Sequence, residues 1–402
     1  MEQTATRRLD GSALTLPAGM DRWRRPAFGI GLAGAVLLVV GVLVDPTQFF
    51  RSYLLGVLLW LGVAVGSLGL VMLHHLTGGA WGLAVRRVLE ASVGTIPAVA
   101  LLFVPLLLGL GHVYPWADPA SVSGDAILEH KAPYLNSSGF VVRAAIYFAI
   151  WIIVGTLLRR WSASQDGADP GTAESLKGRM RALSAPGIVI FCVTITFAGF
   201  DWLMSLEPHW FSSIYGIYMI GCVALSGLAF TVIIASALAR REPMSRHLGA
   251  AHFNDYGNLM LAFIMLWAYF ALSQFLIIWS GNLPEEIGWY LARLDGGWQR
   301  VGLLLVIAHF ALPFLLLLSR RLKRSARVLA WLAAGVLVMR WVDLVWQTVP
   351  SHHPDGLTLH WLDLVAPVAV GGIWLGVYLT LIARRPLLPV GAPDIGEAVH
   401  HG

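Results

Sequence analysis

Residues 52–74 read SYLLGVLLWLGVAVGSLGLVMLH. No formal charge interrupts this run, and it exceeds the roughly 20 residues that a helix needs to cross a hydrocarbon core of about 30 Å. Nothing in lipid can hydrate an unpaired amide, so a run of this kind must be a helix that satisfies its own backbone. Working outward, one such run lies upstream at 27–44, and eight follow at 88–110, 139–159, 187–204, 213–239, 254–279, 299–319, 328–349 and 361–383. The sequence therefore predicts an all-α integral membrane protein of ten transmembrane helices. Composition agrees: 57% of the 402 residues are apolar and 13% are charged, against roughly 25% charged in a soluble domain.

Orientation follows from the Lys and Arg content of the flanking segments, because basic loops stay on the cytoplasmic side. One set of span ends carries 22 of the 28 basic residues, including Arg86 and Arg87, Arg240 and Arg241, the 320–327 cluster, and Arg384 and Arg385. The opposite ends hold only Arg51, Lys131, Arg143, Arg293 and Arg300, and Arg340 lies inside a span. The alternation never breaks, as it would if a span were missed. It predicts a multi-pass membrane protein with a cytoplasmic N-terminal tail at 1–26, a membrane domain at 27–385 and a cytoplasmic C-terminal tail at 386–402. Residues 1–25 are polar, carry five arginines and reach no small-residue cleavage site, so the first span is expected to persist. Topology accounts for the basic balance without a nucleic-acid partner.

Cys192 and Cys222 are the only cysteines, too few for a four-thiolate cluster or a disulfide framework. No nucleotide loop, zinc spacing or nucleophile elbow is present. A haem held by His74 or His75 and His252 is conceivable, but these residues lie at span ends, a placement that favours an interfacial role. Two longer connections, 111–138 and 280–298, mix aromatics with charges as interfacial segments do and can hold short helices. The segment 162–186 is rich in small and charged residues and is expected to be a flexible connector. HLTGGAW at His75 after the second span and HLGAAHF at His247 after the sixth suggest that spans 2–5 repeat as 6–9.

Ionisable groups inside spans are expensive and usually face a bundle interior or water. Glu90, His252 and Asp255 lie toward the basic ends and are expected to form an entrance. His309 lies near mid-depth, while Arg340 and Asp343 are three apart on one helical face in the outer half of span 9. Asp201, Glu207 and His209 lie where span 5 ends, with Asp363 and His112 at the same level. Carboxylates and imidazoles at several depths suit proton movement, because burial tunes their affinity for protons. The competing reading is structural: Arg340 and Asp343 neutralise each other, Glu90 pairs with Arg86 or Arg87, and terminal aspartates cap helices. Helix count and buried charge alone also fit a secondary transporter.

The segments HHLTGGAWGLAVRRVLEA (74–91), HKAPYLNSSGFVVRAAIYFAIW (130–151), FDWLMSLEPHWFSSIYG (200–216), FNDYGNLMLAFIMLWAYFALSQFLIIWSGNLPEE (253–286) and RWVDLVWQTVP (340–350) closely resemble the NrfD-like, or polysulfide-reductase-membrane-subunit-like, family, and within it the NrfD-like membrane components of alternative complex III. The resemblance spans about 23–385. It implies two four-helix bundles, helices 2–5 and 6–9, flanked by helices 1 and 10. It implies a sister NrfD-like membrane subunit, periplasmic iron–sulfur and multihaem cytochrome c subunits, other small membrane subunits, lipids, and a cytochrome c or terminal oxidase as electron acceptor. The complex would oxidise a quinol such as menaquinol, with haem c and iron–sulfur clusters on the partners and no redox metal on this chain. Under this resemblance Glu90, His252, Asp255, His309, Arg340, Asp343 and Asp201 are candidates for a proton path. His112, Asp201 and His209 are the candidates for a quinone site.

Overall fold

A computed structural model describes residues 14–353 and 356–396. Ten helices in it are long and apolar enough to cross a membrane, and the described residues form no strand. In chain order they are α1 (Ala18–Val44), α2 (Pro46–Thr77), α3 (Ala80–Leu107), α4 (Ser137–Gln165), α5 (Pro170–Leu206), α6 (Tyr215–Leu238), α7 (Ala250–Gly281), α8 (Trp298–Leu318), α9 (Ala326–Ser351) and α10 (Trp361–Ile382). The protein is thus an all-α multi-pass membrane protein.

Burial separates central helices from lipid-facing ones. Within the apolar window of each span, 94% of α2 and 83% of α6 is buried, against 22% of α7 and α8. Outward-facing side chains such as Leu32, Leu43, Tyr269, Leu272, Leu303 and Leu315 are apolar and exposed, as a lipid boundary requires. Contacts run α2–α3–α4–α5 and back to α2, and in the same order α6–α7–α8–α9 and back to α6. The two rings meet chiefly where α2 packs on α6, with α5 also touching α6. Helices α1 and α10 pack on each other, and α10 lies along α2.

Small residues set these approaches. Lipid tails are as apolar as leucine, so helices associate in membranes through close van der Waals contact, and glycine lets backbones approach. A Cβ on Gly66 would lie 1.8 Å from the Val223 carbonyl oxygen, and one on Gly227 would lie 2.6 Å from the Ser67 nitrogen. At the α1–α10 contact a Cβ on Gly31 would lie 2.6 Å from the Ile373 nitrogen.

Three features add to or depart from the sequence reading. Segment 162–186 is not a flexible connector: α4 continues to Gln165 and α5 starts at Pro170. Asp169 caps α5 by accepting from the Thr172 amide at 3.0 Å, and Pro170 occupies the first helical position, where its missing N–H costs nothing. The described parts of the two tails pack together, the Leu387 amide donating to the Leu14 carbonyl at 2.8 Å. Leu387 and Leu388 are buried, and Lys177 on α5 pairs with Asp394 at 2.6 Å. The remaining tail residues 1–13 and 397–402, Arg7 and Arg8 among them, lie outside the described residues. Finally, α3 is discontinuous, breaking between Ala80–Val93 and Ile96–Leu107.

Gly66→Ala is expected to lower stability by about 1–3 kcal/mol, as overpacking a tight contact does. Gly335→Ala, where nothing lies within 4 Å of an added Cβ, should be neutral or slightly stabilising. Thermal unfolding of the detergent-purified variants separates the two.

Candidate functional site

At the arginine-rich face, the first half of α3 places Arg86, Arg87 and Glu90 within one turn, each only 3% exposed. Arg87 donates to Glu90 Oε2 at 2.7 Å and to Asp166 Oδ2 at 2.5 Å, and Arg86 Nε lies 3.4 Å from Glu90 Oε1. Ser162 Oγ accepts from Arg87 at 3.0 Å, and Gln165 Oε1 accepts from Arg86 at 2.7 Å. Two guanidiniums thus face two carboxylates, which balances charge that desolvation would otherwise make costly. All these partners come from α3 and the end of α4. His252 sits at the start of α7, where its Nδ1 accepts from the Gly249 amide at 3.3 Å. Helices α3 and α7, which carry the three residues expected at the entrance, touch, and among the described residues the ion pairs of Glu90 are those to Arg86 and Arg87.

The second network joins α6 and α9. Asp343 is fully buried and accepts from Tyr218 Oη at 2.8 Å, from Gln347 Nε2 at 2.8 Å and from Arg340 Nη1. Gln347 Oε1 in turn accepts from Tyr215 Oη at 2.7 Å. The spacing explains the assembly: Arg340, Asp343 and Gln347 recur at three- and four-residue intervals on α9, and Tyr215 and Tyr218 do so on α6. A carboxylate with this many donors is held in place while keeping tyrosine hydroxyls as proton-bearing neighbours.

His309 is also fully buried, and neither of its ring nitrogens meets a hydrogen-bond partner among the described residues. It stands edge-on to Trp267 with centroids 4.4 Å apart. It lies in a stretch of π-helix, Leu305–Ala311, that interrupts α8. Such bulges displace a side chain from ordinary helical register and are frequent at functional sites.

At the face opposite the arginine-rich one, Asp201, His112 and His209 each have their own partners. Asp201 Oδ2 accepts from Arg143 Nε at 2.9 Å and from Tyr147 Oη at 2.7 Å. His112 Nδ1 lies 3.0 Å from Thr47 Oγ1, with its ring stacked on Phe50. His209 Nε2 meets Asp125 Oδ2 at 2.7 Å. Among the described residues no hydrogen bond or ring contact joins the three. Glu207, at the end of α5, has partners of its own. It pairs with Arg293 at 2.9 Å and accepts from Ser351 Oγ at 2.5 Å. Arg293, from the short helix Pro284–Leu294, is fully buried, stacks on Trp289 at 3.6 Å and donates to the Gln347 carbonyl at 2.6 Å. Burial lowers its guanidinium from the ordinary arginine value, with Glu207 opposing the shift. This short helix is thereby tied to the end of the Asp343 network. Asp363, which begins α10, accepts from Ser52 Oγ at 2.6 Å and from the His360 amide at 2.9 Å, acting as a cap.

Sequence reading passes over Tyr215, Tyr218, Gln347, Tyr147 and the pairing role of Arg293, because uncharged polar residues do not stand out within apolar runs. A usable signal exists. Tyr53, Gly56 and Gly62 have the same spacing as Tyr218, Gly221 and Gly227, and Asp201 precedes Pro208 by the same interval as Asp343 precedes Pro350. The two tyrosines have diverged in use: Tyr53 donates to the Leu102 carbonyl on α3, whereas Tyr218 donates to Asp343. Among the described residues no group of three His, Cys, Asp or Glu side chains could hold a metal ion. Compared with models of known protein families and with curated proteins, the sequence matches none.

Glu90→Gln should leave two buried guanidiniums with one carboxylate and destabilise the fold by about 3–5 kcal/mol, the usual cost of breaking a buried pair; chemical or thermal unfolding measures it. A second expectation concerns His352, just beyond α9. Burial, aided by Arg51 and His353, lowers it from 6.5 to about 3. The unfolded chain binds that proton as pH falls through 6.5 and the folded chain does not, so the contribution of His352 is complete above that value and declines toward pH 3. His352→Phe should flatten the loss of melting temperature between about pH 7 and about pH 4.5.

Proposed function

We propose that this chain is an NrfD-like membrane subunit of a quinol-oxidising respiratory complex of the alternative complex III type, and that it conducts protons while its partners carry the electrons. The observation that carries this reading is the buried Asp343–Tyr218–Gln347–Tyr215 network, held by Arg340, with the imidazole of His309, which meets no hydrogen-bond partner among the described residues, in the π-helical stretch of α8. Groups able to accept and release protons are costly in the interior of a membrane domain, and such groups most often mark ion pathways. The proposal places the arginine-rich face and both termini in the cytoplasm of a bacterium, by the charge rule. It places iron–sulfur and multihaem cytochrome c subunits on the opposite face, a sister NrfD-like subunit and small membrane subunits alongside, and a cytochrome c or terminal oxidase as acceptor. Quinol oxidation is assigned to the complex as a whole; in this chain His112, Asp201 and His209 each hold separate partners.

One observation favours a structural role for part of the polar inventory. Both carboxylate oxygens of Glu90 lie against arginines within a closed set of ion pairs, the pattern of a group that neutralises charge. The conducting residues in this proposal are therefore His309 and Asp343, with Glu90 fixing α3 against α4.

His309→Gln removes a titratable group without orphaning a charge. In the complex reconstituted into vesicles it should leave quinol:cytochrome c electron transfer intact while protons translocated per electron fall. Asp343→Asn should act in the same direction, with some loss of stability from the unpaired Arg340. An unchanged proton yield in His309→Gln together with loss of assembly in Asp343→Asn would make the chain a structural anchor.

A further inference from the structure

A cavity of about 40 Å³ lies where the two helix rings meet, lined by residues that include Gly62 of α2, Trp151 of α4, Trp202 of α5, Cys222 and Ser226 of α6, and Arg340 of α9. Its walls are mostly aliphatic, yet two of its side chains carry donors that meet no acceptor among the described residues. These are Arg340 Nε and Trp202 Nε1, on residues that are each 3% exposed. The other polar groups are already engaged. Trp151 Nε1 donates to Thr194 Oγ1 at 2.9 Å, and Ser226 Oγ spends its proton on the Cys222 carbonyl at 2.9 Å, which leaves its lone pairs able to accept. Buried donors left unsatisfied are costly, and a cavity holds a water when it offers more than about 10–15 Å³ and two to four polar partners.

We propose that this cavity is a water-binding site, in which a water accepts from Arg340 Nε and Trp202 Nε1 and donates toward Ser226 Oγ. A small anion would satisfy the same donors, but Asp343 already neutralises Arg340, so an anion would add net charge inside the membrane domain. Water adds none. Its position gives it a role. Arg340 holds Asp343 in the second ring, and Trp202 of the first ring is the chain neighbour of Asp201, so the water lies against one member of the Asp343 network and one residue beside the other carboxylate. The hydration site stands on geometry; its part in passing protons between the rings rests on the proton-conducting reading above.

Cys222 lines the cavity and supplies the probe. In the full-length chain with Cys192→Ser, reconstituted in lipid, Cys222 is the sole thiol, and its infrared S–H stretch can be followed after transfer into D₂O. The site predicts conversion to S–D in the folded protein. A Cβ on Gly62 would meet nothing nearer than 3.8 Å, so Gly62→Ala adds a methyl to the cavity without disturbing the helix crossing. It should slow conversion about tenfold, as displacing a hydrogen-bonded water would. Trp202→Phe removes one donor and should slow it in the same direction. A thiol that keeps its proton in the folded Cys192→Ser chain, or that converts equally fast in Gly62→Ala and Trp202→Phe, overturns the site. Because exchange reports water and not proton transfer, normal exchange in a complex whose proton yield resists His309→Gln keeps the water site and removes the conducting role.

Discussion

The close crossing of α2 and α6 is the contact on which the rest of the molecule depends. Gly66 and Gly227 bring two backbones so near that no side chain fits between them, and these are the two most buried helices in the protein. Each then serves as the inner wall of one four-helix ring, α2 for α3–α5 and α6 for α7–α9. In a membrane there is little solvent-driven gain in joining helices, so close packing between small residues must supply the association. The same device seats α1 on α10 through Gly31, Gly34 and Gly372.

Around this centre most buried carboxylates are balanced by a guanidinium, Asp363 being held instead by a hydroxyl and a backbone amide. The Arg86–Arg87–Glu90–Asp166 set, the Arg340–Asp343 pair, the Arg143–Asp201 pair and the Arg293–Glu207 pair each match guanidinium with carboxylate. They differ in what else is present. The set at Glu90 is closed by further arginine bonds and suits a structural role. Asp343 and Asp201 are instead contacted by tyrosine hydroxyls, which can donate a hydrogen bond without fixing a full charge. His309 stands apart, buried with neither nitrogen engaged among the described residues. A neutral imidazole tolerates that isolation where an ammonium or carboxylate would not.

Much of the site was legible as a list of residues and little of it as an arrangement. Arg340 and Asp343 could be paired from their spacing, and Glu90 with the arginines beside it, because these are neighbours on one helix. The partners that give Asp343 its character could not be read this way, since Tyr215 and Tyr218 lie on α6, more than a hundred residues upstream. Arg293 appeared in the sequence only as one of a few cations on the sparsely charged side, although it anchors the short helix Pro284–Leu294 to Glu207 and to the end of α9. Glu207 and His209, close in sequence to Asp201, turn away to Arg293 and Asp125, because α5 ends there and the chain changes direction.

The sequence by itself determined the solvent of this protein, the number of its spans and the segregation of its basic ends, because hydropathy and charge are properties of consecutive residues and the membrane reads them one segment at a time. Only the tertiary structure decided which polar groups meet. It broke α3 at Gly94 and Thr95, continued α4 and α5 through a segment that reads as a loop, gave Asp201, His112 and His209 separate partners, and left a cavity lined by Trp202 and Arg340. Those outcomes depend on how closely glycine lets particular helices approach, a property of pairs of helices that no single run of residues contains.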